Sequence, residues 1–197
     1  MCSYNEALKL AKETFEEKDP LEIFEKSGCF FDREKEIFHV TYCRDEYHVK
    51  HPEGVITRIT SGSFTGEEEI VILQYLNWCS GLLPQRRWLS FLELPSGEMH
   101  FKPFQKEAIF PLAERYKNDL EGFMEKGSKI GDKMDLGDGA FILPVLPRIE
   151  MAAILWCEDE EYEARANVLF DGNSPSQMPT ASLYVMGIQA IKRVFEI

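Results

Sequence analysis

The chain has 197 residues, of which 44% are hydrophobic, and its 34 acidic and 22 basic residues give a net charge of −12. A chain of this size can bury a large core, so we expect a single domain over residues 1–197, with an N-terminal helical segment at about residues 3–28 packed on it. The acidic excess argues against a nucleic-acid or membrane partner, and the absence of a signal peptide or an apolar run of roughly 18 residues predicts a soluble, cytoplasmic protein.

The N-terminal residues carry two helix-start signals. Ser3 and Glu6 stand at the spacing of a capping box, ahead of an apolar stripe with helical period. Asp19 followed by Pro20 repeats the start signal, and Gly28 is typical of a helix end. The sequence therefore predicts two helices before the first strand.

Residues 36–50 alternate between apolar and polar side chains and predict a β-hairpin. With a two-residue turn at Arg44 and Asp45, Tyr42 pairs with Tyr47 on the buried face. The opposite face then carries side chains of types that can bind zinc, namely His39, Cys43, Glu46 and His48. These groups stand in a row rather than around one point, so no metal site is predicted there.

The middle of the chain predicts more helix than strand. Residues 67–79 begin with three glutamates, where the helix dipole favours acids, and are then apolar nearly all round, which predicts a helix covered on several sides. Residues 88–91 predict a short strand. Residues 104–123 predict a helical region that is kinked or broken at Pro111, because proline removes a hydrogen bond to the preceding turn.

Residues 139–171 contain three apolar runs of strand length, separated by prolines and acids. Residues 149–157 are apolar on both alternating faces, which predicts a central strand. A last helix follows, for which Thr180 is the expected N-cap. Because helices and strands do not alternate regularly, we expect an α+β fold with a mostly antiparallel central sheet packed by several helices; a mixed sheet is the alternative.

Several short motifs, in this order and spacing, resemble a known family. They are WLSF at 88–91, ELP at 93–95, DLGD at 135–138, PVLPR at 144–148, LW at 155–156, LFD at 169–171 and MPT at 178–180. Together they resemble the bacterial and archaeal domain of unknown function 3786, over most of the chain. The resemblance implies a single domain without an assigned activity, and it transfers no catalytic residue. Some relatives carry a cysteine-rich iron–sulfur segment of the kind found in corrinoid proteins, and this chain has no such segment.

Two places offer candidate ligand-binding groups. An acid at the end of a core strand, followed by a polar loop and a helix start, can present side chains beside free helix amides, although such residues also serve to satisfy turn backbone. Arg148, isolated before the central strand, could pair with Asp138 or Asp171 or clamp a ligand carboxylate. The candidate residues are Asp138, Arg148, Asp171, Asn173, Ser174 and Thr180.

No spacing of a phosphate loop, nucleophile elbow or metal centre occurs, so the sequence names neither a catalytic residue nor a metal or other cofactor. We therefore expect an accessory or small-ligand-binding domain without a catalytic centre, with a small molecule or another protein as its partner. The alternative is a small-molecule enzyme, metal-assisted, that uses Asp138, Arg148 and Asp171. Composition leaves the oligomeric state open.

Overall fold

A computed structural model describes residues 4–62 and 64–197. Its helices are α1 (Tyr4–Glu16), α2 (Pro20–Ser27), α3 (Gly66–Trp78), α4 (Phe101–Phe104), α5 (Phe110–Tyr116), α6 (Leu120–Ser128), α7 (Ser174–Gln177) and α8 (Thr180–Phe195). None of these helices combines the length and the apolar character needed to cross a membrane.

The strands form two antiparallel sheets. The first contains β1 (Phe30–Asp32), β2 (Ile37–Tyr42), β3 (Asp45–Lys50) and β4 (Val55–Arg58), in that order. The second has the order β5-β9-β8-β7-β6 and contains β5 (Trp88–Ser90), β6 (Asp132–Lys133), β7 (Gly139–Leu146), β8 (Ile149–Trp156) and β9 (Arg165–Asp171). The predicted α+β class and antiparallel pairing are confirmed, but the strands divide between two sheets because the hairpin of residues 36–50 builds a sheet of its own.

The helix-end signals at Asp19 and Gly28 act as predicted. The Asp19 side chain accepts the N–H of Leu21 at 2.9 Å, and Pro20 occupies the first helical position. Gly28 ends α2 with φ of 69°, a left-handed conformation that glycine adopts without steric cost. The predicted capping box of Ser3 and Glu6 includes a residue outside the described ranges.

The turn of the first hairpin lies one residue earlier than predicted, and that part of the prediction is wrong. Cys43 and Arg44 form the turn, with φ of 49° and 68°, so Tyr42 pairs with Asp45 and Val40 with Tyr47. The strands slide by two residues relative to the expected pairing. Because side chains alternate with a period of two, the apolar face stays buried as predicted, whereas Cys43 leaves the polar face and enters the turn.

The second sheet provides most of the core, with β8 at its centre between β7 and β9. The predicted central strand is confirmed, since residues 151–155 are buried on both faces. Residues 101–116 form a helical run with a π-helical segment, Gln105–Ile109, just before Pro111, which fits the predicted break. The backbone N–H of Cys43 donates to the Val145 carbonyl at 2.9 Å and joins the two sheets.

Candidate functional site

A cleft of about 620 Å³ opens where the first sheet meets the N-terminus of α3 and the last turns of α8. The hairpin turn brings Asp45 to the cleft, and β4 brings Arg58. Helix α8 presents Gln189, Lys192 and Arg193, which share one helix face because they are three and four residues apart. Chain segments far apart in sequence thus place charges of both signs around one cavity.

Asp45 connects the two arginines of the cleft. Its Oδ2 lies 2.7 Å from Nη2 of Arg58 and 3.3 Å from Nη1 of Arg193, and its Oδ1 accepts the Thr60 hydroxyl at 2.9 Å. The loop closes over Arg58 at Gly62, where φ is 138° and a Cβ would lie 2.8 Å from the guanidinium. Both arginines are therefore held in place before any ligand binds.

Glu68 forms the floor of the cleft and is only 1% exposed. Its carboxylate pairs with the Arg193 guanidinium and accepts the Tyr47 hydroxyl at 3.0 Å. Burial raises the pKa of Tyr47, which keeps this hydroxyl protonated at neutral pH. The same carboxylate accepts the backbone N–H of Thr65, while the Thr65 hydroxyl accepts that of Glu68, so a capping box fixes the start of α3.

The rim of the cleft is held by Gln189. Its Oε1 accepts the hydroxyl of the buried Tyr42 at 2.9 Å, and its Nε2 donates to Oε2 of Glu67 at 3.0 Å. Both charged residues of the rim, Glu67 and Lys192, are exposed and form no ion pair with any residue in the described ranges. The floor charges are thus paired internally, whereas one cation and one anion at the rim are available to a ligand.

Cys43 also lines the cleft, but its thiol is not a nucleophile. Burial raises the pKa of Cys43 to about 12, so the reactive thiolate is scarce at neutral pH. The buried Cys29 and Cys79 behave alike, because burial raises their pKa to about 12 and about 11. All three are buried free cysteines.

We predict that Cys43 resists thiol reagents in the native protein. In a C2S variant treated with Ellman's reagent at pH 8, the half-buried Cys157 should react first. Cys29, Cys43 and Cys79 should react roughly a hundredfold more slowly, because the protein must unfold before the reagent reaches them. Labelling of Cys43 as fast as that of Cys157, identified by mass spectrometry, would mean that the floor of the cleft opens in the native state.

Asp171, a candidate from the sequence, is fully buried and organises backbone. Its Oδ2 accepts the N–H groups of Gln85 and Arg86 at 2.8 and 2.5 Å, and its Oδ1 accepts that of Asn173 at 2.9 Å. Because two of these three donors belong to Gln85 and Arg86, Asp171 pins the segment at 79–87 to the end of β9. The sequence allowed this role, in which the side chain accepts backbone N–H groups of a turn, as the alternative to ligand binding.

Of the other loop candidates, Asn173 supports the same segment. The Nδ2 of Asn173 donates to the Leu83 carbonyl at 2.7 Å. Ser174 is fully buried, and its hydroxyl has no hydrogen-bond partner within the described ranges. Thr180 is the first residue of α8 and does not cap it, so that prediction is wrong: Pro179 takes the N-cap position, and no side chain caps the helix there.

The structure does not bring Asp138, Arg148 and Asp171 together. Asp138 accepts the N–H of Cys157 at 2.7 Å at one end of β8, whereas Arg148 precedes the other end. The Asp138 N–H donates to the Leu155 carbonyl at 2.9 Å, and Leu155 is seven residues from Arg148 along an extended chain, or roughly 23 Å. Arg148 forms no ion pair with Asp138, with Asp171 or with any other residue of the described ranges; its backbone N–H donates to the Tyr75 hydroxyl at 3.0 Å.

The polar face of the first hairpin holds a histidine pair rather than a cluster. His39 and His48 are directly paired, with ring centroids 4.4 Å apart, and Glu46 accepts the Thr41 hydroxyl at 2.8 Å. Within the ranges that the structure describes, no group of three or more histidine, cysteine or acidic residues could hold a metal ion.

The cleft itself was not predicted from the sequence. The spacing of Thr65 and Glu68 is that of a capping box and was readable, but it signals a helix start and not a ligand site. In the sequence, Arg193 indicates only a cation near the C-terminal end of a helix, where the helix dipole favours positive charge. Nothing in the sequence indicates that these residues meet Asp45, since the hairpin is separated from α8 by more than half of the chain.

The comparisons with known proteins agree with the resemblance of the motifs. No curated protein and no solved structure matches the chain. One family, described as a domain of unknown function (DUF3786), matches residues 19–193, which include both sheets and every residue of the cleft described above. The chain therefore belongs to the DUF3786 family.

Proposed function

We propose that the protein is a cytoplasmic domain that binds a small ligand in the charged cleft and has no catalytic centre of its own. The observation that carries the proposal is the division of charge in the cleft. Asp45, Arg58, Glu68 and Arg193 neutralise one another, whereas Glu67 and Lys192 at the rim form no ion pair within the described ranges. A small ligand with both an amino and a carboxylate group would complement the rim.

The geometry favours binding over catalysis. The arginines and carboxylates of the floor already hold ideal partners, so moving a proton or a covalent bond there would first require a buried ion pair to be broken. The thiol of Cys43 is protonated, as its raised pKa requires. Asp138 and Arg148 lie beside opposite ends of β8, and the Asp171 carboxylate accepts three backbone N–H groups, which argues against the alternative enzyme that uses these three residues.

The test is a thermal-unfolding screen against the common α-amino acids, with acetate and methylammonium as probes that carry one charge each. A ligand that binds only the native state raises the unfolding midpoint. At a concentration of a hundred times its Kd, it adds about 2.7 kcal/mol to the free energy of unfolding. We expect at least one α-amino acid to raise the midpoint, and neither single-charge probe to match it at the same concentration.

Two exposed rim substitutions give the screen its specificity. Lys192→Gln and Glu67→Gln should each weaken the apparent affinity for the amino acid about tenfold, because each substitution removes one of the two charged groups that pair with the ligand. Lys102→Gln changes the net charge as Lys192→Gln does, but at an exposed residue outside the cleft, and should have no effect. An unchanged midpoint with every amino acid, or an equal response in all three variants, would refute the proposal.

A further inference from the structure

A smaller cavity, of about 170 Å³, lies beside the charged cleft along α8. Both spaces are lined by Glu67, Gln189 and Lys192, so the rim of the cleft is also one wall of this side cavity. Ligand pockets usually measure about 300–1,000 Å³, and the side cavity therefore suits one part of a ligand that is held in the cleft. Its other walls are formed by Glu107, Tyr184, Val185 and Ile188.

One wall of the side cavity is apolar and follows α8. Val185 and Ile188 provide this wall, between the rim and Tyr184. Tyr184, Ile188 and Lys192 follow one another at intervals of four residues, so they share one face of the helix. Since each residue adds about 1.5 Å to a helix, Tyr184 lies roughly 12 Å along the axis from Lys192. A chain of methylene groups that runs from the rim along this face is therefore covered by apolar side chains.

A carboxylate lies at the Tyr184 end of the side cavity. It belongs to Glu107, in the π-helical segment Gln105–Ile109, a rare kind of turn that is frequent at functional sites. Its Oε1 accepts the Tyr184 hydroxyl at 2.7 Å. Burial, and then the carboxylates of Glu107 and Glu67, raise the pKa of Tyr184 to about 12, so both acids act on one hydroxyl. Glu107 is exposed and forms no ion pair with any residue in the part of the chain that the structure describes.

The charges around the two spaces call for a second cation on the ligand. Under the proposed function, Lys192 binds the carboxylate of an α-amino acid and Glu67 binds its ammonium group. Glu107 then has no positive partner from the ligand backbone or from the described residues. A cation at the end of the ligand side chain would neutralise it. The net charge of −12 also attracts cationic ligands more than anionic ones.

We propose that the ligand of the cleft is a basic α-amino acid, whose methylene stem lies along Val185 and Ile188 and whose terminal cation pairs with Glu107. Lysine and arginine side chains commonly bury their stems on apolar surface while the charged end reaches a polar group. An uncharged aliphatic side chain covers the same wall but leaves Glu107 unpaired, and an acidic side chain is repelled by it. This inference rests on the proposed function, because the side cavity holds only the side chain of a ligand that the rim has bound.

The test compares lysine and arginine with norleucine, which has the carbon chain of lysine without the terminal amine. Affinities for the full chain are measured by calorimetric titration and by the thermal-unfolding midpoint, at pH 7 and constant ionic strength. We expect at least one of the two basic amino acids to bind about fivefold more tightly than norleucine. If norleucine binds as tightly as both, the inference is overturned while the proposed function stands. If none of the three binds, both are overturned.

Two variants decide whether Glu107 is responsible for the preference. Glu107→Gln keeps an oxygen that accepts the Tyr184 hydroxyl but removes the charge. It should weaken binding of the basic amino acid about fivefold and leave the affinity for norleucine unchanged. Glu53→Gln removes the same charge at an exposed residue outside both spaces and should keep the full preference. A preference that survives in Glu107→Gln, or that falls equally in Glu53→Gln, would show that Glu107 does not bind the cation.

Discussion

Replacing Glu68 with alanine is expected to lower the free energy of unfolding by about 3–5 kcal/mol. The carboxylate is 1% exposed and pairs with Arg193, so its loss leaves a partly buried guanidinium with Asp45 as its remaining ion-pair partner among the described residues. The same change removes the acceptor of the Tyr47 hydroxyl and breaks the capping box at the start of α3. Urea unfolding followed by circular dichroism measures the loss.

Glu67→Ala is the matched control for Glu68→Ala. It removes the same charge from the neighbouring residue in the first turn of α3, but Glu67 is exposed and has no ion pair within the described ranges. We expect it to lower the free energy of unfolding by only about 1 kcal/mol, through the helix dipole and the exposed hydrogen bond from Gln189. Equal losses in the two variants would mean that the buried pair contributes nothing and that the cleft floor is not preorganised by it.

Replacing Asp171 with alanine should lower the free energy of unfolding by about 4.5 kcal/mol or more, since three backbone donors each lose a hydrogen bond to a charged acceptor, which is worth about 1.5–3 kcal/mol. Asn173→Ala removes a single hydrogen bond to the Leu83 carbonyl and should lower it by about 1 kcal/mol. Both losses can be measured by urea unfolding.

The Asp171 variant should also loosen a defined part of the chain. Its carboxylate fixes the segment at 79–87, which has no regular secondary structure and contains Arg86 and Arg87. Trypsin should therefore cleave after these arginines faster in Asp171→Ala than in the unaltered protein under native conditions. If the segment is cut at the same rate in both, Asp171 does not hold it.

Much of the fold could be predicted because strand alternation and helix ends depend on residues that are close in sequence. The period-two alternation of residues 36–50 and the two-sided apolar run in β8 predicted strands correctly, and Asp19 and Gly28 marked the ends of α2. The hairpin turn was misplaced because Cys43 and Arg44 adopt a conformation that their side chains disfavour. Local preference could not foresee a strained turn.

The functional residues could be predicted only in part. Asp171, Asn173 and Ser174 do lie together, because they are close in sequence. The sequence allowed Arg148 to pair with Asp138 or Asp171, but an antiparallel hairpin places Asp138 and Arg148 beside opposite ends of β8. The charged cleft depends on contacts among the first hairpin, α3 and α8, and contacts between distant segments leave no periodic trace in a single sequence.

Binding of a small ligand that carries both charges in the cleft is tested most directly by the ¹H–¹⁵N spectrum of the protein during titration with the α-amino acid that stabilises it most. We expect saturable shifts concentrated at Thr65, Glu67, Glu68, Gln189, Lys192 and Arg193, which surround the cleft. Shifts that are absent, or that fall on residues away from these two helix ends, would contradict it.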